Sequence, residues 1–162
     1  MKDAASFHWA LVSKEPVPNT GGKNYLEQTE ILSQYIKNRV FHGQVLPEEY
    51  QRAIAEFEKK KKNIAELMRI GNWRKAGSDL VNLKINQLAR HEARDIMYDL
   101  FVYFQTNTQR LLEGLYIWTK SRSSGGWLVN LGGSLARDGA NIFRWLPGDP
   151  SSNLRALLSR SS

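Results

Sequence analysis

The chain has 162 residues, 41% of them hydrophobic, and carries 23 Lys+Arg against 16 Asp+Glu for a net charge of +7. That apolar share supplies a core for one domain of this length and excludes wholesale disorder. With no cysteine in the chain, a disulfide scaffold, a thiolate zinc site and a cysteine nucleophile are all excluded.

The positive excess is spread out, at +4 over residues 1–78, +1 over 79–122 and +2 over 123–162. A basic patch therefore has to come from three-dimensional clustering, and Lys59-Lys60-Lys61-Lys62 is the one local run. Met1 to Val12 lacks the apolar run of a signal peptide. No stretch approaches the ~18–20 uncharged apolar residues of a spanning helix. The expected setting is the cytoplasm or a soluble assembly.

Residues 1–23 read as an arm, with an apolar patch at Phe7, Trp9, Leu11 and Val12 followed by Pro16, Pro18, Asn19, Gly21 and Gly22. From Asn24 to His42 the spacing of Tyr25, Thr29, Leu32, Ile36 and Val40 predicts a helix, which Gly43 stops. Pro47 opens a second helix, with Glu48 and Glu49 against its dipole. Its seam of Tyr50, Ile54, Phe57, Lys61, Ile64 and Met68 is heptad-like with one lysine in it. That lysine either restricts register or lets its stem snorkel to water.

After Gly71-Asn72 and a cap at Ser78 or Asp79, no proline interrupts the chain to Ser121. Ala89, Ala93, Ile96, Leu100, Phe104, Asn107, Leu111, Leu115 and Trp118 recur at close to 3.6 residues. One helix over 79–121 is predicted, with Tyr98, Phe101, Tyr103, Phe104, Tyr116 and Trp118 as core aromatics. At 1.5 Å per residue it would span roughly 64 Å. It must break at Thr106-Asn107-Thr108 or Gly114, or else the molecule is elongated. Residues 122–162 are loosened by serine and glycine yet carry Trp127, Leu128, Leu131, Ile142, Phe143 and Trp145. A short amphipathic helix is expected from Ser134 to Trp145, stopped at Pro147-Gly148-Asp149-Pro150. The predicted fold is all-α: an elongated three-helix bundle (about 24–42, 47–70 and 79–121), with an arm at 1–23, a bundle domain at 24–121 and a docking segment at 122–162.

Chemistry is sparse. His91-Glu92-Ala93-Arg94-Asp95 is the nearest approach to a zinc helix, with Asp95 where a second histidine belongs and no third ligand. Gly71 and Gly77 bracket Arg74 and Lys75 without a phosphate-loop ending, and no serine stands in a nucleophile elbow. No catalytic residue, metal ligand or cofactor site is expected.

The leading expectation is a non-enzymatic structural or interaction subunit of a larger assembly, a homo-oligomer or a partner of other protein subunits. It would dock through Phe7, Trp9, Trp127, Leu131, Phe143 and Trp145, because aromatic-rich ends recover their ordering entropy by burial on a partner. The alternative is DNA or RNA binding through Arg52, Lys59, Lys60, Lys62, Arg69, Trp73, Arg74 and Lys75, with salt-dependent phosphate contacts and Trp73 stacking on an unpaired base. Peripheral membrane contact through residues 127–146, with Arg137 and Arg144 beside the aromatics, ranks behind partner docking and self-packing.

Overall fold

The computed structural model describes residues 10–13, 15–133 and 140–161. The expectation of an all-α bundle is overturned: the fold is mixed, with helices packed on a curled four-stranded sheet. In chain order the elements are β1 (Ala10–Val12), α1 (Tyr25–Tyr35) with a π-helical extension Ile36–Val40, α2 (Glu48–Arg69), α3 (Trp73–Asn82), α4 (Lys84–Ala89), α5 (Ala93–Asn107), β2 (Tyr116–Arg122), β3 (Leu128–Gly133), β4 (Ala140–Trp145), β5 (Leu154–Arg155) and β6 (Ser159–Ser161). Among the described residues, no helix is long and apolar enough to cross a membrane.

The helical half follows from local chemistry. Asn24 caps α1 in a reciprocal box: its side chain accepts from the Glu27 N–H, and the Glu27 carboxylate accepts from the Asn24 N–H. Gly43 takes φ 71°, the left-handed conformation that ends the following turn. Along α2, Tyr50, Phe57, Ile64 and Met68 are buried, as the heptad-like seam requires. Lys61 on that seam forms an ion pair with Glu30 of α1.

The predicted helix over 79–121 does not exist as one element. Leu83 turns to extended backbone between α3 and α4, Arg90 does so before α5, and α5 ends at Asn107 on a left-handed Thr108 at φ 54°. Beyond it, Tyr116-Ile117-Trp118-Thr119 is a run of aromatic and β-branched residues, which fit a pleated surface. Neighbours on a strand point to opposite faces, so Ile117 and Trp118 can both be fully buried only if the sheet is covered on both sides. It is. Trp118, Leu128 and Leu154 join the cluster of α1 to α4, whereas Ile117 and Leu131 pack with Ile96 and Leu100 of α5. All six residues of β3 are buried, as a strand between two layers should be.

The sheet order is β4-β3-β2-β5, with β2, β3 and β4 antiparallel and β5 parallel to β2. β1 pairs with β6 in a separate two-stranded ladder. The short helix expected at Ser134–Trp145 is corrected where it is described: Ala140–Trp145 is strand, and its first residues lie outside the described ones. Asn141-Ile142-Phe143-Arg144-Trp145 reads with the period of two of a strand as readily as that of a helix, and register against β3 (Leu131↔Ile142, Val129↔Arg144) decides it. Segments expected as an arm and a docking tail contribute to the core through Val17 and through Leu154, Ala156 and Leu157.

Candidate functional site

α5 lies across β2 and β3 and leaves β4 uncovered. Its inner face is Ile96 and Leu100; its outer face carries Tyr98, Phe101 and Phe104 at 68%, 60% and 42% exposure. The sequence assigns these three aromatics to the core, and the structure places them on the surface. Between α5 and the sheet edge runs an apolar groove of about 180 Å³, lined by Met97, Leu100, Phe101, Phe104, Leu111 and Ala140. Arg110 places its guanidinium over the Phe104 ring at 5.8 Å, closing one end of it with a cation. Ile142, two residues along β4 from Ala140 and so on the same face, is 56% exposed. On the opposite face Phe143 meets Tyr116 edge-on at 5.4 Å. Asp99, on α5, has its carboxyl pushed up by burial and by the neighbouring Asp95 charge.

Of the expected docking residues, Phe7 and Trp9 lie outside the described residues. Leu131 is fully buried between the sheet and α5 and presents nothing to a partner. Phe143 and Trp145 are on the surface at 46% and 40% exposure, and Trp127 is half-buried beside them.

The expected nucleic-acid residues divide into two sets. On α2, carboxylates one turn away hold Arg52 (Glu48), Lys60 (Glu56) and Arg69 (Glu66), and Lys75 at the start of α3 pairs with Asp79. Lys59 and Lys62 are exposed on α2. Trp73 and Arg74 belong elsewhere. The Trp73 ring packs on Gly148 so closely that a Cβ there would stand 2.5 Å from it. Arg74 and Arg122 converge on Gly126, where a Cβ would lie 4.0 Å from Arg74 Cγ and 2.8 Å from Arg122 Nη2. Beside Gly126, Trp127 shares a cleft of about 340 Å³ with Arg144, Trp145, Leu146 and Asp149. The structure thus brings Arg74 to Arg122 at Gly126, and Trp73 to Gly148 in the turn beside the cleft that Arg144 lines, two arginines that the basic-region reading leaves out. Their signal in the sequence is only an arginine beside or within an aromatic strand.

The interior holds a polar cluster that the sequence does not announce. Arg90 is fully buried: its guanidinium stacks on Tyr25 at 4.1 Å, Nε donates to Asn86 Oδ1 at 2.9 Å, and Nη1 and Nη2 reach Trp118 O and Thr29 Oγ1 at 3.4 and 3.5 Å. No carboxylate pairs with it among the described residues. Burial lowers the Arg90 pKa and raises that of Tyr25, whose hydroxyl donates to Thr119 O at 3.0 Å. His91 is buried with Nε2 3.4 Å from Leu158 O, and burial pushes its pKa down. Among the described residues, no three histidine, aspartate or glutamate side chains converge as metal ligands around it.

No family model matches the chain, no curated protein matches it, and no solved structure matches its fold. The geometry of these surfaces is therefore what a functional reading rests on.

Proposed function

We propose that the protein is a non-enzymatic interaction subunit that pairs with a second copy of itself along α5 and β4. The observation that carries this reading is the placement of exposed apolar side chains: six of the eight large ones among the described residues (Tyr98, Phe101, Phe104, Ile142, Phe143, Trp145) stand on these two elements. An aromatic side chain buries about 150–250 Å² when covered, so their open fractions amount to roughly 600 Å². A stable interface removes about 800 Å² per partner, and the flanking polar rim supplies the difference.

The edge itself is suited to self-pairing. Among the described residues nothing pairs with the outer side of β4, and the strand has no proline, lysine or bulge to discourage it. Two copies of β4 aligned antiparallel about Phe143 set Phe143 opposite itself, Ile142 opposite Arg144 and Asn141 opposite Trp145, each pair on one face of the joined sheet. The one charge of the strand then never faces itself.

The test is light scattering on the eluting protein at about 0.1 M and about 1 M salt, where charges are screened over about 10 and 3 Å. The wild-type chain is expected to run as a dimer in both. Ile142→Lys puts a charge opposite Arg144 across the paired edge and is expected to give a monomer. A wild-type monomer in both buffers would sink the reading.

A further inference from the structure

We propose that Trp73, Arg74, Arg122, Trp127, Arg144 and Trp145 form a binding surface for single-stranded nucleic acid. This inference does not rest on self-association, and paired β4 edges would compete with it for Arg144 and Trp145. The six side chains form one connected surface. Arg74 and Arg122 meet at Gly126, Trp127 follows it and shares its cleft with Arg144 and Trp145, and the 147–149 turn that closes the cleft carries the Trp73 ring on Gly148.

Charge distinguishes this surface from the rest of the basic residues. Of the six cations of α2, Arg52, Lys60 and Arg69 are matched by a carboxylate on the same helix and Lys61 by Glu30 of α1. Arg74, Arg122 and Arg144 are exposed, and among the described residues none lies within ion-pair distance of a carboxylate. Arg122 is aimed by neutral partners, donating to Ser78 Oγ at 3.0 Å and to Gly126 O at 3.3 Å. Unmatched guanidinium groups beside an exposed Trp145 ring and the half-buried rings of Trp127 and Trp73 are the elements of a single-strand site: the cations follow phosphates, and the rings stack on bases whatever their sequence.

The rings are also fixed in advance. Trp145 donates its Nε1–H to Asp149 O at 3.2 Å, and Trp73 is wedged on a glycine that admits no side chain. Asp149 is the single carboxylate of the cleft and suits the amino edge of a base rather than a phosphate. Reaching ring faces inside a cleft requires a splayed-out base, which a duplex does not offer.

The experiment is fluorescence anisotropy of a labelled oligothymidylate of about 15 nucleotides, within the range one such site engages, titrated with the full chain at several salt concentrations. Three arginines on three phosphates predict a slope of log K against log salt of about −2, at about −0.7 per phosphate of a single strand. The double variant Arg74→Gln/Arg144→Gln is expected to lose about tenfold in affinity at about 50 mM salt and to flatten the slope by about 1.4. Lys59→Gln/Lys62→Gln removes the same charge from α2 and is expected to bind like wild type. Trp127→Phe keeps a stacking face and the fold and should bind; Trp127→Ser should not. No binding by the wild-type chain at about 50 mM salt overturns the proposal, as do equal losses in the two double variants or equal affinity for a duplex of the same length.

Discussion

Arg90 shows how a single side chain organises this interior. A guanidinium without a carboxylate is costly to bury, and here stacking on Tyr25 and three neutral acceptors from α1, α4 and β2 offset the loss of water. Replacing such a group by an apolar one of similar length is often neutral, whereas truncating it leaves a cavity. Arg90→Met is therefore expected to cost less than about 1.5 kcal/mol, and Arg90→Ala about 3 kcal/mol, by urea denaturation. Next to it, His91 carries a pH dependence. Burial holds its folded pKa below the ordinary 6.5, and the Lys120 charge acts the same way, opposed by the Leu158 carbonyl and Asp95. As pH falls through about 6.5 the unfolded chain takes up a proton that the folded one does not, so stability declines until the folded pKa is passed. His91→Gln is expected to flatten stability between about pH 7.5 and 5.5; an unchanged slope would remove His91 as its source.

At the scale of elements, α1 and α2 were legible because apolar spacing and first-turn charge agree, whereas the cap expected at Ser78 or Asp79 lies inside α3, which Asn72 caps. The Tyr25–Val40 spacing, the acidic Glu48 and Glu49, and the Tyr50–Met68 seam all point one way. The second half misleads because Leu111, Leu115 and Trp118 stand at helical spacing but are not on a helix. Leu112 and Gly114 adopt φ of 58° and 69°, turning the chain into β2. The Ser123–Trp127 turn and the paired glycines 132 and 133 are what a strand reading needed. Gly132 is required where β3 crosses the start of β2: a Cβ there would be 2.0 Å from Leu115 O and 2.8 Å from Tyr116 Cα. Backbone cannot retreat as a side-chain tip can, so Gly132→Ala is expected to cost about 3 kcal/mol, at the upper end of overpacking effects, read as a lower thermal midpoint. A tolerated alanine would show that the two strands separate there without penalty.

For the whole molecule, residues far apart in sequence share one interior. Val17, Tyr25, Phe57, Leu80, Trp118 and Leu154 belong to a single cluster, so the chain should unfold in one transition. Ending it after Pro150 removes β5 together with Leu154, Ala156 and Leu157, all buried. That truncated chain is expected to lose cooperative thermal unfolding and to be cut rapidly by protease; a sharp transition would mean that the C-terminal segment is dispensable. The same scale governs self-association. The groove beside α5 and the bare edge of β4 exist only once the sheet has formed with one helix too few to cover it, and the dimer expected from it is the state that Ile142→Lys should abolish.

The amino-acid sequence by itself determined the locally encoded features: a basic chain without cysteine, the apolar spacing of α1, and α2 with its buried seam. These depend on residues within a few positions of one another, so spacing reveals them. The tertiary structure alone decided that Phe101 and Phe104 face outward while Leu131 is buried, that α2's cations are largely matched, and that Arg74 meets Arg122 near Trp127. Those outcomes depend on strand pairing across tens of residues, and two-fold alternation in a short apolar run does not say which face will be covered.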